Sequence, residues 1–119
     1  MSRTAQYWTK AHITIDYLAG RMPGVYASVF RGQLAVHHRV KGCIGAVSPK
    51  TPEYSRRCWV VTHIGTGMRL PGKFSTQAKA VAALLRAMQI HRDWRFNDPT
   101  TTLLWRRSKV QRLRKAMGV

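Results

Sequence analysis

Acidic side chains are scarce in this chain. There are 4 Asp and Glu against 21 Lys and Arg among its 119 residues, for a formal net charge of +17. Like charges at this density repel one another in the compact state and lower its stability. A polyanionic partner removes that cost, and binding to a nucleic acid also releases condensed counterions. The scarcity of acids therefore predicts a polyanionic partner, and nucleic acid is the favoured one.

The few acids also bear on catalysis. Asp16, Glu53, Asp93 and Asp98 are scattered along the chain, whereas a two-metal nuclease needs several carboxylates clustered around its ions. The sequence contains no nucleophile motif and no glycine-rich phosphate loop. We therefore predict a protein that is not an enzyme, with no catalytic residue, no metal and no cofactor.

Cysteines and long apolar runs are also few. Cys43 and Cys58 are too few for a disulfide scaffold, and we expect both to be reduced. No apolar run is long enough to span a membrane, and residues 1–10 lack the apolar stretch of a signal peptide. Because 45% of the residues are hydrophobic, the chain is not a disordered basic tail. The sequence predicts one cytoplasmic domain over residues 1–119, with a modest core and no membrane partner.

Period-two patterns predict strands in the first half of the chain. Ile13, Ile15 and Tyr17 alternate with polar residues, although the run 5–18 could also form a helix. Residues 25–30 and 33–40 predict a hairpin around a tight turn at Arg31 and Gly32.

Residues 41–57 are rich in glycine, proline and basic residues, and we expect a long basic loop there. After the loop, residues 58–64 are the clearest strand, and residues 68–70 can return beside it. The sheet predicted from these segments is antiparallel and small.

Helical spacing predicts two helices in the remainder. The first runs over about 75–90, with Ser75 or Thr76 as N-cap. Its predicted buried face consists of Val81, Leu84, Leu85 and Met88. The second runs over about 99–117 from a start at Asp98 and Pro99, and cations cover most of its surface. The predicted fold class is α+β: an antiparallel sheet of about three to five strands packed on the first helix, plus a basic C-terminal helix.

Cations of the loop, of the link before the first helix and of the second helix are expected to contact phosphates. The second helix carries no acid beyond its cap, which separates it from an ordinary solvated helix of mixed charge. The predicted contacts of this kind are Lys41, Arg56, Arg57, Lys73, Arg106, Arg107, Lys109, Arg112, Arg114 and Lys115.

Residues 58–88 carry a short series of motifs in a characteristic order. A strand with Trp59 precedes a turn at 65–67, a Gly-x-Phe-x-Thr link at 72–76 and an alanine-rich helix. This order resembles the three-stranded-sheet-plus-helix DNA-binding domains of plant ethylene-response factors and of phage integrase arms. Ser75, Ala78 and Lys79 are also similar to the start of the last helix in double-stranded RNA-binding domains.

The first resemblance implies a sheet that lies in the major groove of DNA. On that analogy Arg39, Thr62, His63 and Arg69 would face the DNA. The family's arginine-rich first strand has no counterpart in residues 25–30, which contain no cation. The resemblance therefore favours binding through phosphates over specific reading of bases.

Histidine and cysteine offer a zinc site as an alternative. His38, Cys43, Cys58 and His63 are an acceptable ligand set for zinc. The ligands in each pair are five residues apart, however, and strand alternation places Cys58 and His63 on opposite faces. Cysteines that pack as small apolar residues are the better interpretation.

A small, metal-independent RNase toxin is a second alternative, since such an enzyme needs only a histidine and nearby cations. His37, His38 and His63 lie on predicted neighbouring strands, close to Arg39 and Arg69. A third alternative is an inhibitor that docks on an acidic protein or a ribonucleoprotein of the host. The favoured prediction is a non-catalytic, phosphate-dominated binder of nucleic acid, DNA rather than RNA and double-stranded, of a kind that suits a phage- or plasmid-encoded regulator.

Overall fold

The computed structural model describes residues 7–17, 20–41 and 53–119. They form a four-stranded antiparallel sheet in the order β1-β2-β3-β4, followed by two α-helices. This architecture confirms the predicted α+β class. The elements are β1 (Trp8–Tyr17), β2 (Gly20–Phe30), β3 (Leu34–Val40), β4 (Tyr54–His63), α1 (Gln77–Ile90), a 3₁₀ helix (Pro99–Leu104) and α2 (Arg107–Ala116).

The turn between β2 and β3 has the geometry expected from its sequence. Arg31 and Gly32 have φ angles of 53° and 69°, and the N–H of Gln33 donates to the carbonyl of Phe30 at 3.0 Å. Positive φ at both central positions matches the right-handed twist of the flanking strands. The hairpin predicted around these two residues is therefore present.

Helix α1 covers one face of the sheet with a stripe of small side chains. Thr76 caps it, accepting a hydrogen bond from the N–H of Lys79. The fully buried positions are Ala80, Ala83, Leu84 and Ala87, which recur at helical spacing. They pack on sheet residues that include Leu34, Val36 and Val61.

The buried face of α1 thus differs from the predicted one. Of the four residues predicted to be buried, only Leu84 is fully so, and Val81, Leu85 and Met88 are half-buried. The alanines at 80, 83 and 87 are fully buried, because their small side chains let the helix backbone approach the sheet.

The β1–β2 hairpin curls over the opposite face of the sheet and covers it. Strand β2 pairs with β3 only from Ser28 to Phe30, so the rest of the β1–β2 hairpin is free to curl back. Its end meets the turn after β4, where the N–H of Asp16 donates to the carbonyl of Gly67 at 2.7 Å. Arg21 donates to the carbonyl of Thr66 at 2.9 Å. A second core forms inside this curl from Ile13, Ile15, Met22, Val25, Ala27, Val29, Ala35 and Val40.

The C-terminal helix predicted over 99–117 is divided in two. The 3₁₀ helix ends before Trp105, and both Trp105 and Arg106 have extended backbone angles, with ψ of 142° and 144°. The sequence explains the break, because three successive threonines, 100–102, are poor α-helix formers. Asp98 caps the first piece as predicted, accepting from the N–H of Thr100 at 2.9 Å.

Two further boundaries differ from the predictions. Strand β4 begins at Tyr54, so Arg56 and Arg57 lie in a strand and not in a loop, while 42–52 of the predicted loop lie outside the described residues. Residues 68–74 follow the free edge of β4 through only two isolated bridges, Thr62 to Arg69 and Trp59 to Phe74. The returning segment is therefore an irregular edge and not a regular strand.

Candidate nucleic-acid interface

Helix α2 presents a positive surface while its apolar residues anchor it. Leu113 is buried in the main core, as is Met117 just after the helix, and Val110 is half-buried. Five of its ten residues are cations, and none is an acid. Arg114 and Lys115 lie in the last turn, where the negative end of the helix dipole favours positive charge. The exposed cations of this segment are Arg106, Arg107, Arg112, Arg114 and Lys115.

The end of α2 is fixed to α1 by an arginine. Arg86 of α1 donates two hydrogen bonds to the carbonyl of Ala116, from Nε at 3.1 Å and from Nη2 at 2.9 Å. The carbonyl at the C-terminus of a helix is otherwise left without a partner, so these bonds stabilise the junction.

A shallow depression lies at this junction. It is lined by Phe74, Arg86, Arg112, Lys115, Ala116 and Gly118. Three of these six residues are cations and none is an acid, which suits the approach of a phosphate group. Lys73 immediately precedes Phe74 and is exposed. Arg86 was not among the residues predicted from the sequence, because nothing in the spacing of α1 shows that it meets α2.

Lys109 differs from the other cations of α2. Its Nζ lies 3.0 Å from Nδ1 of His91 and 5.2 Å from the centre of the Trp105 ring. Burial and then the charge of Lys109 lower the pKa of His91, so the neutral ring accepts the hydrogen bond. Lys109 is half-buried and serves the packing of α2 more than its outer surface.

Two of the predicted sheet contacts lie inside the protein. Thr62 and His63 are 1% and 3% exposed. The Thr62 hydroxyl is bonded to His37, and His63 lies 2.6 Å from the carbonyl of Trp94 and 2.8 Å from Thr66 Oγ1. In this conformation neither side chain can reach a nucleic acid, which corrects their predicted place on a DNA-facing surface.

The other predicted sheet and loop cations are more accessible but dispersed. Arg69 is exposed and Arg39 is half-buried. Lys41, at the end of β3, is also exposed, as are Arg56 and Arg57 on β4. Arg56 and Arg57 lie where the register between β3 and β4 shifts, between the pairs Arg39↔Ser55 and His38↔Trp59, and neither lines the depression at the α1–α2 junction. The structure therefore brings together the α1–α2 cations and not those of the sheet.

Two of the three histidines considered for ribonuclease chemistry have both ring nitrogens engaged inside the protein. His37 Nδ1 lies 2.7 Å from the carbonyl of His38 and Nε2 lies 2.7 Å from Thr62 Oγ1. Burial lowers the pKa of His37 and of His63. The third, His38, stacks on Trp59 with ring centroids 3.8 Å apart. This arrangement gives no support to the ribonuclease alternative.

The zinc alternative also gains no support. Across residues 7–17, 20–41 and 53–119, no three His, Cys, Asp or Glu side chains lie close enough to share a metal ion. Cys58 is a free, half-buried thiol, and Cys43 lies outside the described residues.

A second concave site was not predicted. A cavity of about 470 Å³ opens between the turn after β4 and the 3₁₀ helix, and its aromatic wall is formed by Trp94, Phe96 and Trp105. The rings of Trp94 and Trp105 are 5.2 Å apart and nearly perpendicular, at 82°. The sequence feature that could have pointed to this site is the alternation of these aromatic residues with arginines at 92, 95, 106 and 107. That alternation does not show that the aromatic rings share a cavity.

Comparisons of this chain with protein-family models, with curated proteins and with solved structures gave no match. The resemblance to ethylene-response factors and integrase arms therefore remains a prediction. Among the described residues, no helix is both long enough and apolar enough to cross a membrane.

Proposed function

We propose that this protein binds nucleic acid without catalysis, mainly through phosphate contacts, with double-stranded DNA as the preferred target. Such a protein suits a phage- or plasmid-encoded regulator. The observation that carries the proposal is the α1–α2 junction, where cations from two helices converge on one open depression that contains no acid.

The electrostatics support this proposal. With 21 cations and 4 acids, the chain cannot neutralise its charge internally. Arg95 and Asp93 do pair at 2.9 Å, but both are well exposed, and such surface pairs contribute little to stability. A polyanion is the partner that turns this excess charge into binding free energy, through counterion release.

The number of available contacts fits a phosphate-dominated interface. Six exposed cations belong to α2 or to the α1–α2 junction: Arg86, Arg106, Arg107, Arg112, Arg114 and Lys115. Phosphate contacts fix the position of a protein on a duplex but do not read its sequence. We therefore expect an affinity that depends strongly on salt and weakly on sequence.

The test is a fluorescence-anisotropy titration of labelled duplex DNA, single-stranded DNA and RNA of the same sequence, at several salt concentrations. Log affinity for the duplex should fall linearly with log salt, with a slope that reflects roughly 5 to 8 contacts at about −0.9 each. The RNA should remain intact on a denaturing gel. An affinity that does not change with salt, or an RNA-cleaving activity that co-purifies with the protein, would contradict the proposal.

Docking on an acidic protein or a ribonucleoprotein is the second candidate function. It is favoured by Leu103 and Leu104, which are 80% and 87% exposed and closely precede the exposed cations at 106 and 107 in the sequence. Exposed apolar side chains next to charge are typical of protein interfaces. Failure to bind all three nucleic acids at low salt would favour this candidate.

A further inference from the structure

We propose that the aromatic cavity accommodates one unpaired nucleobase of the bound nucleic acid, so that the protein prefers DNA with an unpaired base over a perfect duplex. This inference rests on the proposed function and names the part of the ligand that the cavity takes. The phosphate contacts at the α1–α2 junction do not depend on it.

The size and walls of the cavity suit a flat ring. Its volume of about 470 Å³ falls in the range of about 300–1,000 Å³ typical of ligand pockets. Phe96 and Trp105 both line it, with ring centroids 6.0 Å apart and planes at 86°. A base lying against one of these rings would meet the other edge-on, which is a favourable arrangement of aromatic groups.

The charge around the cavity suits a ring that carries a phosphate. None of the lining residues is an acid, and Arg69 lines the cavity with an exposed side chain. Trp105 is followed directly by the exposed Arg106 and Arg107. The occupant expected from these surroundings is an apolar, planar group attached to an anion, which describes a nucleotide better than it describes an aliphatic side chain.

Two polar side chains of the cavity wall already have hydrogen-bond partners within the protein, and this bears on how a base would be held. His63 and Thr66 line the cavity. They are bonded to each other at 2.8 Å, however, and His63 also bonds to the carbonyl of Trp94. The Thr66 hydroxyl accepts from the N–H of Met68 at 3.2 Å. Neither residue is available to read a base edge, so the base would be held mainly by stacking.

A paired base cannot enter the cavity without leaving the duplex, which costs free energy that an already unpaired base does not pay. The ligands for the test are therefore a perfect duplex and the same duplex with one bulged 2-aminopurine, a fluorescent base whose emission is quenched on stacking. Because stacking contributes about 1–3 kcal/mol per base, the native protein should bind the bulged duplex about tenfold more tightly. Its binding should also quench the probe.

Two pairs of variants locate the effect. Val110→Phe places a larger side chain in the cavity wall, and Leu104→Phe makes a comparable change at an exposed residue outside it. Val110→Phe should abolish the preference for the bulge, measured as the ratio of the two affinities in that variant, whereas Leu104→Phe should retain it. If Val110→Phe does not fold by circular dichroism, Met68→Glu, at an exposed lining residue, is compared with Leu104→Glu.

The outcomes separate this inference from the proposed function. Equal affinity for the two duplexes with an unquenched probe would overturn the cavity inference, and a normal salt dependence on the perfect duplex would leave the proposed function standing. Loss of the bulge preference in Leu104→Phe as well as in Val110→Phe would place the base elsewhere and also overturn it. If the native protein binds neither duplex, both ideas are wrong, and an apolar side chain of an acidic protein becomes the candidate occupant.

Discussion

His37 on β3 and Thr62 on β4 are joined by a hydrogen bond of 2.7 Å between Nε2 and Oγ1, and both side chains are buried. On the other side of the ring, His37 Nδ1 lies 2.7 Å from the carbonyl of His38. A carbonyl can only accept, so Nδ1 carries a proton, and in the neutral ring the Thr62 hydroxyl donates to Nε2. Burial lowers the pKa of His37, so the interior favours this neutral form, and protonation would require the Thr62 hydroxyl to turn from donor to acceptor.

Stability should fall as the solution is acidified from pH 7 to pH 5. Burial lowers the pKa of His37 and of His63 from the usual 6.5, and His91 is shifted in the same direction. Below pH 6.5 the unfolded chain binds protons that the folded chain resists, so the free energy of unfolding declines until the folded-state pKa values are reached. Urea unfolding at a series of pH values measures this decline.

A matched pair of variants assigns the pH effect. His63→Gln should make the stability less dependent on pH, and His12→Gln, at an exposed residue of β1, is the control for replacing a histidine at the surface. Asp93 does not interfere, because hydrogen bonds from Arg95 hold its pKa at about 2, below the pH range of the experiment. A pH profile that is identical in native protein and His63→Gln would contradict this explanation.

Gly67→Ala should destabilise the protein more than Gly24→Ala. Both glycines have a φ of 74°, which costs an alanine about 1–2 kcal/mol. A Cβ at Gly24 would have nothing within 4 Å, whereas a Cβ at Gly67 would lie 2.9 Å from the backbone N of Asp16. The difference between the two free energies of unfolding therefore measures the close approach of the β1–β2 hairpin, and equal losses would show that the approach is unimportant.

Leu113→Ala should cost about 2–5 kcal/mol, as expected for a buried leucine that leaves a cavity. Leu113 is 7% exposed and belongs to the core that α2 shares with α1 and the sheet. Leu104→Ala, at an exposed residue, should change stability by no more than about 0.5 kcal/mol. Chemical denaturation compares the two variants, and a small loss for both would mean that α2 is not docked as described.

The parts of the fold that depend on local signals could be predicted from the sequence. Arg31 and Gly32 allow a tight turn between alternating strands, and Thr76 is a favourable cap for α1. The buried stripe of α1 was less predictable, because hydrophobicity alone pointed to Val81 and Met88 and not to the alanines. The buried residues of α1 depend on how closely the helix approaches the sheet, and the sequence pattern does not contain that distance.

The features that depend on distant parts of the chain could not be predicted. The curl that brings Asp16 to Gly67 closes the second face of the sheet and helps to explain why Thr62 is buried. Leu103, Val110 and Met117 are spaced by seven residues, which on one continuous helix would place them in one row. The break at Trp105 removes Leu103 from that row and leaves it exposed at the cavity.

The most direct test of the account is the salt dependence of duplex binding in a variant with four α2-region arginines, 106, 107, 112 and 114, replaced by Gln. Gln keeps the helix propensity close to that of Arg, and Val110, Leu113 and Met117 still dock the helix. Affinity should fall about equally on all sequences, and the slope of log affinity against log salt should become shallower by about 3 to 4.

A second variant removes the same amount of charge elsewhere, with Gln at Lys10, Arg21, Arg31 and Arg92, all exposed and outside α2. Circular dichroism confirms that both variants are folded. We expect this control to change the slope by no more than about 1, since its cations are not expected to contact phosphates. A native slope in the α2 variant, or equal changes in both variants, would show that α2 is not the nucleic-acid interface.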